Sequence, residues 1–416
     1  DRRPRDHCGL AEHAPTESGK RAKLPLMRRI CLGAAALVLA LGGACSGDDT
    51  PDIGARDEAG QPTTAASDPP ASSEPPPEDD GPVNVYEHTG PDDIADSVED
   101  IPTRVYVPNG ESNTVDVIDP ATFAVVDSYP VGALPQHVVP SHDMQTLYVN
   151  NNQGNTLTPI DPRTGKPGSE IPVDDPYNLY FSPDGSQAIV IAERNSQIDF
   201  RDPNTWELVK RLDVPDEYRN ANGASGVNHA EFTADGKTMI ASCEFSGWII
   251  RVDLETMEVT GGLNVGGKPV DLKLSPDGSV VYNANETRNG VHVIDWTTMQ
   301  EVAFIPAGAG THGLYPSRDG TLLYATNRLG GSVSVLDFGT RQVVATWTFG
   351  GSPDMGGVST DGTQLWLSGR YHSEVYVLDT ATGELIRRIN VGGGPHGLAI
   401  FPQPGRFSMG HTGNYR

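Results

Sequence analysis

A sevenfold recurrence constrains what this chain can fold into. The pattern Asp-x-x-Thr falls at Asp119/Thr122, Asp161/Thr164, Asp202/Thr205, Asp253/Thr256, Asp295/Thr298, Asp337/Thr340 and Asp379/Thr382, with steps of 42, 41, 51, 42, 42 and 42 residues between successive aspartates. A period of this length held over many copies signals a repeat architecture, in which a unit buries its apolar face only against its neighbours. Each Asp closes a short apolar run, such as Val117-Ile118, Val293-Ile294, Val335-Leu336 or Val377-Leu378, and a β-rich run such as Val343–Trp347 follows it. A carboxylate can accept backbone N–H groups two or three residues on, and Thr holds the same turn. The motif therefore reads as a hairpin turn made seven times.

Four short strands fit each repeat. In the copy ending at Asp337/Thr340 they are His312–Ser317, Leu322–Thr326, Ser332–Leu336 and Gln342–Phe349, here called a to d from the inside outward. The a–b turn recurs as Ser182-Pro183-Asp184-Gly185, Thr233-Ala234-Asp235-Gly236, Ser275-Pro276-Asp277-Gly278 and Ser359-Thr360-Asp361-Gly362. Asp-Gly between β runs is a strong hairpin signal. Four antiparallel strands per repeat describe a propeller blade. Strand a begins near Pro135, Pro176, Val227, Pro269, Thr311, Pro353 and Pro395. The chain enters at Thr103–Val107 with strands b, c and d and leaves at His396–Phe401 with strand a alone, so the two parts complete one blade and remove the open sheet edge. The expected fold is all-β: a seven-bladed β-propeller of four-stranded antiparallel blades over 101–402, closed by N-terminal strands pairing with the C-terminal strand.

The first hundred residues follow other rules. Residues 1–26 show no periodicity and read as an upstream extension. Met27-Arg28-Arg29, the apolar run Ile30–Leu41 and Gly42-Gly43-Ala44 before Cys45 resemble a bacterial lipoprotein signal over 27–44, with Cys45 as the lipidated first mature residue. Gly42 stands where such signals usually carry Leu, which leaves an ordinary secretory signal as the other reading. Residues 45–100, rich in Pro, Ser, Asp and Glu, cannot bury enough apolar surface to offset ordering entropy and read as a disordered acidic linker. As a flexible coil it would reach about 40 Å. Localisation at the outer face of the cell membrane or in the periplasm is the expectation, with the membrane reached through Cys45.

Leu147-Tyr148-Val149-Asn150, Leu323–Asn327, the Ser-Pro-Asp-Gly turns and the Val-Ile-Asp strand ends resemble the YVTN-type repeats of the YncE-like β-propeller family over about 300 residues. The resemblance implies an exported or envelope-anchored bacterial protein, mostly without catalysis. Some members bind single-stranded DNA, which makes single-stranded nucleic acid a partner by resemblance only. The formal charge of −25 argues against broad binding to nucleic acid or to an anionic membrane. The four cysteines, Cys8, Cys31, Cys45 and Cys243, make no disulfide framework.

Residues that start the innermost strands converge at one mouth of a propeller channel, and here they are polar: His137, Asn178, His229, Asp271, His312, Asp354 and His396. His137 and His229 lie one position further along the repeat than His312 and His396. Neighbouring strand residues face opposite sides, so either the strands shift by a residue or only half the set points inward. Three readings compete for these side chains. They cap strand ends and bond neighbouring blades, or they line an axial ligand pocket. Alternatively, His137, His229, His312 and His396 with Asp271 or Asp354 hold Cu, Zn or Ni. The b–c loops add Arg194, Arg288, Arg328 and Arg370, which suit a small anionic ligand or a protein partner, or simply pair with nearby acids. Neither a nucleophile motif nor a phosphate loop is present. The expected role is a binding module acting through its channel-mouth face. The alternative is a metal- or cofactor-using enzyme, a lactonase-like hydrolase or dehydrogenase-like subunit. The tail 403–416, with His411 and Tyr415, is too polar for a strand and is expected to cross the propeller base or end.

Overall fold

A computed structural model describes residues 83–411 and 414–416. Seven antiparallel sheets follow one another around an axis; six have four strands. The seventh, the first complete blade in sequence, has its outer strand split into Lys166–Pro167 and Ile171–Pro172. Pro167 and Pro172 lack the N–H that a continuous ladder needs, and Gly168 sits between them. The strands of the fifth blade run over Thr311–Pro316, Leu322–Asn327, Ser332–Asp337 and Gln342–Thr348, within a residue of the sequence reading.

Burial explains the blade. Innermost strands are covered on both faces, as in Val227–Phe232 where every residue is buried, whereas the outermost Gln342–Thr348 alternates exposed and half-buried positions. Side chains of adjacent blades interdigitate, for example Tyr315 and Tyr324 with Leu365, Leu367 and Tyr376.

The recurring turn is built as its residues dictate. Asp295 Oδ1 accepts from the N–H of Thr297 at 2.9 Å and of Thr298 at 3.2 Å, and from the Thr297 hydroxyl at 2.7 Å. Four residues after each motif Asp the chain takes positive φ, at Phe123, Gly165, Trp206, Met257, Met299, Arg341 and Gly383. Five of these are not glycine, so the carboxylate anchor holds a conformation that costs about 1 kcal/mol at a side-chain-bearing residue. The extra residue shifts the c–d register, as between Val335 and Leu336.

Closure occurs as the sequence implies. Ala399–Phe401 pairs with Arg104–Asn109 through Arg104↔Phe401, Val105↔Ile400 and Tyr106↔Ala399, and supplies the innermost strand of the blade finished by Thr114–Asp119 and Ala124–Pro130. The short ladder is backed by Val105, Val107, Ile118, Trp366, Leu398 and Ile400 in one apolar cluster. Each fully buried aliphatic side chain there contributes about 1.5–3 kcal/mol.

One segment departs from expectation. Residues 83–100, assigned to the disordered linker, lie on the face that carries the a–b turns. Val85 N–H donates to Pro276 O at 2.9 Å, the Tyr86 hydroxyl donates to Leu274 O at 2.7 Å, and Val98 is fully buried. Val85, Tyr86 and Val98 are the apolar residues that the acidic composition of the stretch obscures. The tail leaves strand a at the same face and turns into the channel. There Phe181 N–H donates to Met409 O, Lys273 Nζ donates to Asn414 Oδ1 at 2.7 Å, and Arg416 Nη2 reaches Glu231 Oε1 at 3.1 Å. The tail therefore plugs the base of the channel. The upstream extension, the signal stretch, Cys45 and the linker to residue 82 lie outside the described residues.

Candidate functional site

The innermost strands carry an extra residue where the polar side chains sit. Between Pro135 and Val138 the pairing register with the next strand slips, and it slips likewise between Val227 and Ala230, Pro269 and Leu272, Thr311 and Leu314, and Pro353 and Gly356. The bulged pairs are Gln136/His137, Asn228/His229, Val270/Asp271, His312/Gly313 and Asp354/Met355. A bulge re-aims the side chains of its two residues and leaves one N–H off the ladder. A hydroxyl on the facing strand takes that donor in three blades: His229 N–H to Ser242 Oγ at 3.3 Å, Gly313 N–H to Thr326 Oγ1 at 2.7 Å, and Met355 N–H to Ser368 Oγ at 3.3 Å. The offset among the histidines is resolved in this way, because the strands shift and both positions of the bulge can reach the axis.

The imidazoles meet there. Ring centroids of His137 lie 4.7 Å from His396 and 5.8 Å from His229, and His312 lies 6.0 Å from His229 and 6.1 Å from His396. A fifth ring comes from the tail: His411 sits 4.1 Å from His137 and 5.0 Å from His229. Ligand-capable atoms of His137, His229 and His411 all lie within 4.8 Å of one another. The same holds for His312, Asp354 and His396. Tyr177 walls the cluster, with its ring edge-on to His137 at 5.4 Å and to His229 at 6.0 Å.

The two groups differ chemically. On the mouth side, Arg328 from a b–c loop donates to Asp354 Oδ1 from Nε at 2.9 Å and from Nη2 at 2.6 Å, and to Glu286 at 3.0 Å. Its Nη2 also abuts His312 Nε2, while His312 Nδ1 lies 3.1 Å from Asp354 Oδ1. That group is an ion-pair network, and a cation there would meet a guanidinium. On the base side no cation hydrogen-bonds to the rings among the described residues, although the charge of Lys273 acts on His229 and His411. Among the described residues, His137 and His229 each leave both ring nitrogens buried without a partner, and His411 Nε2 and His396 Nδ1 are likewise unpaired. Burial, with neighbouring charges adding, holds His137, His312, His396 and His411 well below the ordinary imidazole value of 6.5 and pushes His229 down to about 3. All five rings are therefore neutral at pH 7 and carry lone pairs.

Other residues singled out in the sequence do different work. Asp271 accepts from Leu272 N–H at 3.0 Å and from Leu314 N–H of the next blade at 2.9 Å, so it ties blades together and lies outside both groups. Asn178 likewise bonds Asn228 O across a blade boundary at 3.2 Å. Arg194 pairs with the buried Asp175 at 2.6 Å. Arg288 is exposed and lies along the Gly266–Gly267 loop away from the hub. Arg370 reaches only Gln136 Oε1, at 3.4 Å, and has no carboxylate within 4.0 Å among the described residues. The sequence named His411 only as part of the tail and not as a hub residue, because the hub was read from the repeat. The signal was its place after a final innermost strand, since a chain leaving that strand emerges beside the axis.

Seven closed blades around a histidine-rich hub define a polar-cored β-propeller. The chain belongs to the YNCE-like beta-propeller family, which matches residues 95–405. No curated protein matches it significantly. Among solved structures it is similar to Kuenenia stuttgartiensis hydrazine synthase, at 20% identity and a TM-score of 0.59, covering 75% of this chain and 99% of that one. A putative 6-phosphogluconolactonase from Bacteroides fragilis matches at 20% identity and a TM-score of 0.59, covering 73% and 99%. Dihydro-heme d1 dehydrogenase NirN matches at 17% identity and 0.54, covering 74% and 77%. At these identities the likeness is one of fold, and folds of this kind host unrelated activities.

Proposed function

We propose that the propeller holds one transition-metal ion on its axis through His137, His229 and His411. The observation that carries this reading is the six partnerless ring nitrogens on fully buried histidines. Leaving one buried polar group unsatisfied costs about 1–3 kcal/mol, so six together would rival the stability of a whole domain. A metal ion satisfies several of them at once. Neutral imidazoles suit Cu, Zn or Ni rather than Mg or Ca. Three histidines leave a further coordination position, the arrangement of reactive rather than purely structural sites. The His396 ring, 4.7 Å from His137, adds a further unpaired Nδ1 next to the set. This reading favours the metal-using alternative over display alone. The signal-like stretch before Cys45 supports an exported, lipid-anchored protein. Equal lipid labelling of wild type and Cys45→Ala would overturn the anchor.

Elemental analysis of the full chain, purified without affinity histidines or chelator, tests the ion. About one Cu, Zn or Ni per chain is expected. His229→Ala and His411→Ala should lose it, while His312→Ala, in the ion-pair network, should keep it. A folded, metal-free protein, or equal metal in all three variants, would overturn the assignment.

A further inference from the structure

One a–b turn carries a residue that the turn itself does not need. Where Ser317-Arg318-Asp319-Gly320 has Arg318, the matching turns have Pro183, Ala234, Pro276 and Thr360. Asp and Gly make these hairpins, so the position before them is free to serve something else. Arg318 reaches the next blade and the tail: Nε donates to Ser359 O at 3.1 Å and Nη2 to Val358 O at 2.7 Å, and Nη2 also meets Gln403 Oε1. Among the described residues Nη1 makes no hydrogen bond, and no carboxylate lies within 4.0 Å of the guanidinium. Arg318 lines a cavity of about 50 Å³ on the base side of the hub, together with Val138, Tyr315, Leu398, Ile400 and Tyr415. Burial pushes the guanidinium down from its ordinary 12.5 to about 10, with Tyr415 and Asp361 acting against that shift. The acids of this region are engaged elsewhere. Asp361 is held in its own turn by Ser359 Oγ at 2.6 Å and Thr363 N–H at 3.0 Å, Asp271 by two backbone N–H groups, and Glu231 pairs with Arg416 and Lys273.

We propose that this cavity binds a small monocarboxylate, which accepts from the free Nη1 of Arg318 at its charged end and packs its aliphatic end against Val138, Leu398 and Ile400. A charge-assisted hydrogen bond from a guanidinium is roughly twice as strong as a neutral one, and the desolvated surroundings favour it further. Water competes for the space, since a cavity of ~10–15 Å³ already holds one molecule. Yet water brings the guanidinium no charge, and the aliphatic walls give water no partner. Size sets the upper limit. Cavities that take up benzene measure about 150 Å³, so acetate fits here and benzoate does not. The site draws nothing from the axial ion and stands independently of it.

Calorimetric titration of the full chain with acetate tests the site. Wild type should bind acetate, while acetamide, its neutral isostere, should bind about tenfold more weakly or worse, and benzoate not at all. Arg318→Gln, which loses the charged donor, should bind acetate about ten- to a hundredfold more weakly. Gly357→Val fills the cavity from another wall and leaves Arg318 in place, because a Cβ there meets only Ile400 Cδ1 at 3.9 Å. It should abolish acetate binding in a protein that stays folded. EDTA should leave the wild-type affinity unchanged, which separates this site from a ligand on the axial ion. Absence of acetate binding in wild type, unchanged affinity in either folded variant, or loss of binding with EDTA would overturn the carboxylate site and leave the metal assignment standing.

Discussion

At the scale of single residues, the hub depends on one glycine as much as on its histidines. A Cβ on Gly397 would fall inside the His137 imidazole, whereas one on Gly357 would meet nothing nearer than Ile400 Cδ1 at 3.9 Å. Gly397→Ala should therefore displace His137 and cost about 1–3 kcal/mol through overpacking. Its metal affinity should fall at least tenfold, while Gly357→Ala should behave as wild type in both thermal melts and metal titration. A Gly397→Ala protein with wild-type affinity would show that His137 is not a ligand. The distinction between the two histidine groups lives at this scale too. It turns on whether a nitrogen faces a guanidinium or nothing, and Arg328 settles that for His312.

At the scale of the element, the c–d turn is the unit that repeats, and its aspartates set an acid limit on stability. The Thr hydroxyl and backbone N–H groups hold Asp119, Asp161, Asp253, Asp295, Asp337 and Asp379 below the ordinary value of 3.8. A carboxylate depressed in the folded state stabilises it above pH 3.8, and that contribution disappears as pH falls through the lower folded value. Asp295→Asn, which mimics the protonated turn, should lower the melting temperature by about 1–3 °C at pH 7, the effect of roughly 1 kcal/mol. The deficit should shrink as pH drops below about 4, where wild type loses the same charge. A deficit independent of pH would mean that the turn is held by backbone geometry alone. The inner-strand bulges are the complementary element, because they decide which side chains see the axis. The repeat pattern located those residues, but sequence spacing could not show that five of the inner strands carry one residue more than their partners.

At the scale of the whole molecule, the tail couples the C-terminal end of the chain to the hub. His411 is held by its N–H to Leu179 O at 3.2 Å, and the residues around it by Met409, Asn414 and Arg416. A metal bound partly by His411 stabilises the docked tail, and by linkage metal at a hundred times its dissociation constant should add about 2.7 kcal/mol to the folded state. Zn or Cu should accordingly raise the melting temperature of the full chain and slow carboxypeptidase trimming of its C-terminus. A chain ending before Ser408 should show no metal-dependent rise. Equal trimming rates with and without metal, in a protein that binds it, would separate the tail from the site.

The sequence by itself determined the blade count, the strand order and the closure, because these follow from local chemistry repeated at a fixed period. An Asp that caps a turn and an Asp-Gly that makes a hairpin act within a few residues of themselves. The position of Phe401 opposite Arg104 then follows from counting strands. Four of the five hub histidines were legible for the same reason, since symmetry brings equivalent positions of a repeat together. Only the tertiary structure decided which imidazoles stay free and which join Arg328 and Asp354. Only it showed that Asp271 and Asn178 link blades, and that His411 and residues 83–100 belong to the folded domain. Those outcomes depend on contacts between residues far apart in the chain and outside the repeat, where no periodicity carries the information and only packing around the closed axis can set it.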